Sequence, residues 1–418
     1  MNELILTVTL NKSAYPVLDT EQLGYVLVEA RPTIPAGQEQ SRPPLNLALV
    51  LDRSGSMAGE KLDNLKRAAR LVVQRLSPQD MLTIILFDDR ADIWVPCQFV
   101  RDPQMFLARI EAIQERGGTH LSTGLAAGLQ QLQTVAGAGR VNRLILLTDG
   151  ETWEDADKCR ELARQAGQSG VVITALGLGE EWNQQLLTDI AVFSGGNWHY
   201  IDDPAQLAAA FQNVVSTMQA TTITNVNLIL RLLEGVRPRT VWRVTPLIDR
   251  LSHQALSARD VQVYLGDLQI GGQSALVELT WPPRQAGHYR LAQAELRYDQ
   301  PLEGLMGQKV QQNILVSFAQ TGDTPPDGRV MNVVEKVTAF KLQTQALADV
   351  SLGHMAQATQ KLRAAATRLL SLGEEEKAQE ALNLAEQLNA GQALSARQTK
   401  RFYSATRKLD TGELLPGT

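Results

Sequence analysis

The sequence predicts a doubly wound, mostly parallel α/β unit inserted in or followed by an antiparallel β-sandwich, with a C-terminal helical bundle. Three observations predict this. Between residues 45 and 219, short apolar runs without alternation are interleaved with amphipathic helical patterns, as a parallel sheet covered on both faces requires. At 4–30 and again at 220–320 the apolar period returns to two, which fits strands with one buried face. From Arg329 the chain is Ala-rich, with apolar residues at helical spacing.

Taken in order, LILTVTL (4–10) and LGYVLVEA (23–30) alternate and read as half-exposed strands. The Pro-rich RPTIPAGQEQSRPP then breaks regular structure up to Pro44. Two isolated strands cannot bury their apolar faces, so residues 1–44 are expected to complete the later sandwich around the α/β unit at 45–219. Within that unit LNLALVL precedes a helix at 60–76, and MLTIILF precedes helices at 103–114 and 121–135. RLILLTD, VVITALGLG and WHYI precede helices at 154–167, 183–193 and 204–218. In the first helix Leu62, Leu65, Ala69, Val72, Val73 and Leu76 form one stripe, with Lys61, Arg67 and Arg70 outside it. At 220–320, TNVNLILRLL, DVQVYLGDLQIGGQSALVELTW, YRLAQAELRY and VQQNILVSF read as sandwich strands turned at Gly266-Asp267 and Gly271-Gly272. AQTGDTPPDG is a linker, and 329–410 should hold helices near 330–349, 352–372, 374–389 and 395–408.

With 418 residues, 44% of them hydrophobic, and a net charge of −5, the chain should exceed one core and lacks a broad nucleic-acid-binding face. Two cysteines, Cys97 and Cys159, are too few for a disulfide framework or a thiolate metal site. MNELILTVTLNKSAYP lacks the basic start and apolar core of a signal peptide, and no window approaches the roughly 18 uncharged apolar residues of a membrane span. A cytoplasmic location is expected.

The chemistry concentrates at strand ends, where open α/β sheets bind ligands. LALVLDRSGSMAG places Asp52, Ser54 and Ser56 at alternate positions where the first α/β strand must turn. Thr119, in RGGTHLSTGL, opens a helix, and Asp149, in LLTDG, ends a later strand. These five hard oxygen donors suit Mg²⁺, Mn²⁺ or Ca²⁺ rather than zinc or copper. An octahedral ion held this way keeps water and an exchangeable position. Gly55, Gly117 and Gly118 would let backbone approach it. Turn and N-cap chemistry is the competing explanation for each residue singly.

The order VLDRSGSM, GGTHLSTGL, LLTDGE over residues 45–219 resembles a von Willebrand factor type A domain with a metal-ion-dependent adhesion site. The resemblance implies that Ser54 and Ser56 ligate the metal directly and Thr119 directly or through water. Asp52 and Asp149 would act mostly through water and by hydrogen-bonding the hydroxyls. It also implies a non-enzymatic, protein-binding function in which a partner's Asp or Glu completes the coordination. Metal occupancy would couple to a shift of the helix at 204–218. The flanking strands and helical tail resemble intracellular bacterial members. An adaptor or regulatory subunit for a AAA-type ATPase is the alternative role. No phosphate-cradling G-x-x-x-x-G-K-[ST] loop occurs in this chain.

Further expectations attach to other residues. Ser56, His120 and Asp149 offer a remote hydrolase reading, without a G-x-S-x-G elbow. Glu151, Glu154, Asp155 and Asp157 would hold a second cation or simply favour a helix N-terminus. Trp94, Trp153 and Trp182 would rim a binding face or pack internally. Arg397, Lys400, Arg401, Arg407 and Lys408 would bind an acidic partner or form a solvated helix face.

Overall fold

The computed structural model describes residues 4–33, 42–135, 139–150, 152, 154–320 and 324–408. The chain begins with β1 (Leu4–Leu10), β2 (Ala14–Pro16) and β3 (Gln22–Pro32). The α/β unit follows: β4 (Leu45–Asp52), α1 (Glu60–Arg75), β5 (Met81–Phe87), β6 (Ala91–Phe99), α2 (Pro103–Glu111) and α3 (Leu121–Gln133). It continues with β7 (Val141–Thr148), α4 (Ala156–Gln168), β8 (Val171–Leu178), α5 (Gln184–Phe193), β9 (Trp198–Ile201) and α6 (Leu207–Gln219).

These strands form one sheet in the order β6-β5-β4-β7-β8-β9. All neighbours are parallel except β5 and β6. All eight residues of β4 are buried, because helices cover both faces. Leu45, Leu47, Leu49 and Leu51 share a core with α1, α2 and α6, whereas Ala48 and Val50 share one with α3, α4 and α5. The chain leaves β4 towards β5 on one side and leaves β7 towards β8 on the other. The carboxyl ends of the paired strands β4 and β7 therefore flank the switch point. Strand β6, absent from the sequence reading, is an antiparallel edge strand. Its mixed exposure and Pro96 give no clear period, as edge positions allow.

The sandwich strands are β10 (Thr221–Leu232), β11 (Arg237–Thr245), β12 (Asp249–Leu251), β13 (His253–Ala255) and β14 (Asp260–Gln269), then β15 (Gln273–Trp281), β16 (Gly287–Gln300) and β17 (Leu305–Ala319). One sheet runs β1-β3-β15-β11-β12 and the other β13-β14-β10-β16-β17-β2. The α/β unit thus leaves the sandwich after β3 and rejoins it at β10.

Helices α7 (Gly328–Ser351), α8 (Met355–Ser371), α9 (Glu375–Asn389) and α10 (Ala396–Thr406) close the chain. They pack on one another as the expected helical bundle, and α7 also seats it on the sandwich. Val330, Val333, Val337 and Phe340 of α7 pack with Leu27, Trp242, Val244 and Leu276, on the outer face of the first sandwich sheet. This corrects the half-exposed reading of residues 23–30. Val26 and Val28 point into the sandwich and Leu27 into the helical layer, so the middle of β3 is buried on both faces. Residues 321–323 of the expected linker lie outside the described residues. On its far side Asp327 caps α7, accepting from Val330 N at 2.9 Å.

The basic cluster of the last helix is also corrected. Lys400 is buried and donates to the carbonyls of Glu180 and Trp182, the latter at 2.7 Å, with its ammonium 4.2 Å from the Trp182 ring centroid. Arg407 is buried and pairs with Asp249 of β12, with Nε donating to Oδ1 at 3.1 Å, and donates to the Trp198 carbonyl at 2.9 Å. Arg397 pairs with Asp202 at 2.6 Å. Arg401 and Lys408 remain exposed. Three of the five cations therefore tie α10 to the α/β unit, one of them also to the sandwich, rather than forming a free patch.

Candidate metal centre

Register brings the strand-end residues together. Leu51 of β4 pairs with Leu147 of β7, so Asp52 and Thr148 lie side by side and Asp149 follows. Asp52 is fully buried, accepting Ser54 N at Oδ1 (2.8 Å) and the Thr148 hydroxyl at Oδ2 (2.6 Å). Burial pushes its carboxyl up to about 6. The bonds from Ser54 and Thr148 oppose this, and the nearby Asp149 adds to it. A cation beside Asp52 would remove that penalty.

The hydroxyls do not do what the capping explanation requires. Ser54 precedes a short helical turn at Gly55–Met57 but makes no side-chain cap. Helix α1 is preceded by Gly59 and α3 by His120, neither with a side-chain cap. Instead, Ser54 Oγ and Ser56 Oγ face each other at 3.0 Å, and Ser56 donates to Asp149 Oδ1 at 2.7 Å. Thr119 stands against the turn after β7: a Cβ added to Gly150 would lie 2.8 Å from its Oγ1. All five predicted residues thus lie at one end of the sheet: Asp52, Ser54, Ser56 and Asp149 are linked by hydrogen bonds, and Thr119 is placed against Gly150. Ser56 is exposed and Thr119 half-buried above the buried Asp52, Ser54 and Asp149.

The loops are held from below. Arg53 pairs with Asp88 at 2.8 Å, and Arg116 with Asp88 and Asp92 at 2.9 and 3.0 Å. Gly55 N donates to Gly117 O at 3.0 Å. Gly117 has φ +69°, and a Cβ there would meet Asp89 Oδ2 at 2.7 Å. A Cβ on Gly118 would lie 2.5 Å from Asp89 Oδ1. The left-handed backbone at Gly117 favours glycine whatever the space around it.

Other expectations resolve differently. His120 Nε2 is 3.7 Å from Asp155 Oδ2, while Ser56 bonds Asp149 directly, so the Ser–His–Asp relay is not assembled. Asp155 reaches across to α3, accepting Ser122 N at 2.5 Å and the Thr152 hydroxyl. Burial would raise its carboxyl, but the bonds from Thr152 and Ser122 outweigh burial and hold it below the usual range. Asp157 pairs with Arg160 at 2.8 Å and Glu154 is exposed, so no second cation cluster forms among the described acids. Glu151 and Trp153 lie outside the described residues. Trp182 is buried, and Trp94 is half-buried, donating to Arg109 O at 2.7 Å with the Arg109 guanidinium 4.6 Å from its ring. Both tryptophans are thus engaged with residues outside the five-donor set.

Lys61, Thr148 and Arg53 were not foreseen as site residues. The Lys61 ammonium pairs with Asp149 Oδ2. The pairing of β4 with β7 and with β5, and the seating of α1, reveal these contacts.

A divalent ion places its own demands on donor spacing and donor type. Neighbouring positions of an octahedron with Mg–O bonds of about 2.0–2.1 Å are about 3 Å apart, the spacing of the Ser54 and Ser56 hydroxyls. Three hydroxyls and two carboxylates, with no thiolate or imidazole, match a hard cation. The residues fit.

A family model described as the von Willebrand factor type A domain matches residues 46–213, and one for the Sll0103-like C-terminal alpha-helical domain matches 328–412. The uncharacterised Synechocystis protein sll0103 is 35% identical over 276 residues, 64% of this chain and 65% of that protein. This chain therefore aligns with somewhat less than two thirds of that relative. A von Willebrand factor type A structure from Catenulispora acidiphila superposes with TM-score 0.79 at 17% identity, covering 97% of both chains. The ArnB paralog VWA2 from Sulfolobus acidocaldarius gives 0.60 at 16%, covering 97% of this chain and 98% of that one. At such identities these two speak for the fold alone. Residues 46–213 of this chain therefore form a von Willebrand factor type A domain, set into a β-sandwich and followed by an Sll0103-like helical domain.

Proposed function

We propose that this domain is a divalent-metal-dependent protein-binding module, in which Asp52, Ser54, Ser56, Thr119 and Asp149 hold Mg²⁺, Mn²⁺ or Ca²⁺ and a partner supplies an Asp or Glu. Domains of this family generally mediate protein–protein interaction. One observation carries the metal-dependent reading: the hydroxyls of Ser54 and Ser56 face each other, and that of Ser56 reaches Asp149 across the switch point, instead of capping the helices that follow.

In this reading Ser54 and Ser56 are direct ligands, and Thr119 binds directly or through water. Asp52 and Asp149 act mainly through water and by orienting the hydroxyls. Asp52 also fixes the loop through Ser54 N and Thr148. When bound, the ion supplies a concentrated positive charge to which an exogenous carboxylate coordinates. Ser56 is exposed, so such a ligand can approach from solvent.

Thermal melting with added Mg²⁺ or Mn²⁺ tests the reading. The wild type should melt higher with metal, and Asp52→Ala should lose that shift. An equal shift in Asp52→Ala would sink the assignment. Capture of the partner should fail in EDTA, and capture that survives chelation would place the binding surface elsewhere.

A further inference from the structure

Lys61 sits where helix energetics do not favour it. It is the second residue of α1, and a cation in the first turn faces the positive end of the helix dipole, where acids are preferred. By sequence it belongs with Arg67 and Arg70 on a solvated face. In the structure its ammonium turns to the end of β7 and pairs with Asp149 Oδ2, while Oδ1 of the same carboxylate accepts from Ser56. The Asp149 side chain is fully buried and that of Lys61 is 32% exposed, so the amine enters the site from its solvent edge. Arg53 and Arg116 are engaged by Asp88 and Asp92 and do not compensate Asp149.

We propose that Lys61 is a tethered cation that competes with the divalent ion for Asp149 and keeps the loaded site electropositive, so that an external carboxylate is needed to balance it. This inference rests on the metal-dependent reading above. With both acids ionised, Asp52 and Asp149 carry two negative charges and Lys61 one positive charge. Adding a divalent ion leaves one net positive charge when Lys61 is present and none when it is absent. Removing the ammonium should therefore strengthen metal binding, because a repelling charge is lost, and weaken carboxylate binding, because the attracting charge is lost. These effects run in opposite directions. Structural damage to the site would weaken both.

The test uses the full chain as wild type, Lys61→Met and Lys61→Arg, with Mn²⁺ as the metal probe and fluoroacetate as the carboxylate probe. Free Mn²⁺ is counted by electron paramagnetic resonance. Fluoroacetate binding is read from ¹⁹F line broadening at matched Mn²⁺ occupancy. Lys61→Met should bind Mn²⁺ about tenfold more tightly, the gain expected from removing one like charge at a screened, half-open site. Its broadening of fluoroacetate should fall severalfold, and Lys61→Arg should behave as wild type. Lys61→Met binding Mn²⁺ no more tightly than wild type overturns the competition, and unchanged fluoroacetate broadening overturns the electropositive role. If the wild type binds no Mn²⁺, the metal reading itself fails and this inference falls with it.

Discussion

Replacing Asp249 with alanine should destabilise the chain by about 5 kcal/mol, the upper end of what breaking a buried ion pair costs. The magnitude follows from what the carboxylate holds. Arg243 and Arg407 both pair with its Oδ2, and all three side chains are only 2% exposed. Arg243 also reaches Gly196 O at 3.2 Å, and Arg407 reaches Trp198 O at 2.9 Å. One acid thus joins β11, the approach to β9 and the residue following α10. Burial holds the Arg243 guanidinium below its ordinary pKa; Asp249 opposes this and Arg407 reinforces it. Without Asp249, two buried cations would face each other unpaired. Arg407→Met instead leaves a balanced Arg243–Asp249 pair and relieves the cation–cation repulsion, so it should cost about 2 kcal/mol, the scale of hydrogen bonds to charged groups. Equilibrium urea denaturation followed by tryptophan fluorescence reads the difference, since Trp182 and Trp198 lie buried beside the junction. Helical circular dichroism should be recorded in parallel, to show whether the helical layer melts separately. The reasoning is refuted if Asp249→Ala costs no more than Arg407→Met.

Two further outcomes are expected. Burial, with Arg407 and Lys408 adding to it, pushes His199 down from 6.5 to about 4. The unfolded chain therefore takes up the proton first, and stability that is full above about 6.5 should decline as pH falls towards 4. His199→Gln should flatten the decline of urea midpoints across that window, and an unaltered slope rejects the assignment. Gly128 lies in α3 against the sheet, where a Cβ would stand 2.6 Å from Val50 Cγ2 and 3.0 Å from Leu144 Cδ1. Gly128→Val should cost about 1–3 kcal/mol by overpacking. It should also weaken Mn²⁺ binding, because α3 is the helix that follows Thr119; a variant as stable as wild type would show that α3 is free to move.

Much of the architecture was legible because burial imprints itself locally. A strand covered on both faces, such as LNLALVL, reads as an uninterrupted apolar run, and a sandwich strand such as TNVNLILRLL reads with period two. The five oxygen donors were also legible, since each stands where a strand ends or a helix opens, and those points follow from the same local pattern. Where the local pattern misled, a neighbour from another part of the chain was responsible. Residues 23–30 alternate only in part, because α7 covers the face that sequence alone would leave to water. The basic face of α10 looked solvated until Glu180, Trp182, Trp198 and Asp249 were brought against it.

The sequence by itself determined the α/β element order, the sandwich period and the loops from which the candidate site is built. Only the tertiary structure decided what those loops touch. Thr148 meets Asp52 across a separation of 96 residues, Lys61 meets Asp149 across 88, and Arg407 meets Asp249 across 158. Hydrophobic periodicity is a property of one element and its own burial, so it survives in the linear text. A pairing of charges depends on strand register and helix seating, which the whole fold sets at once.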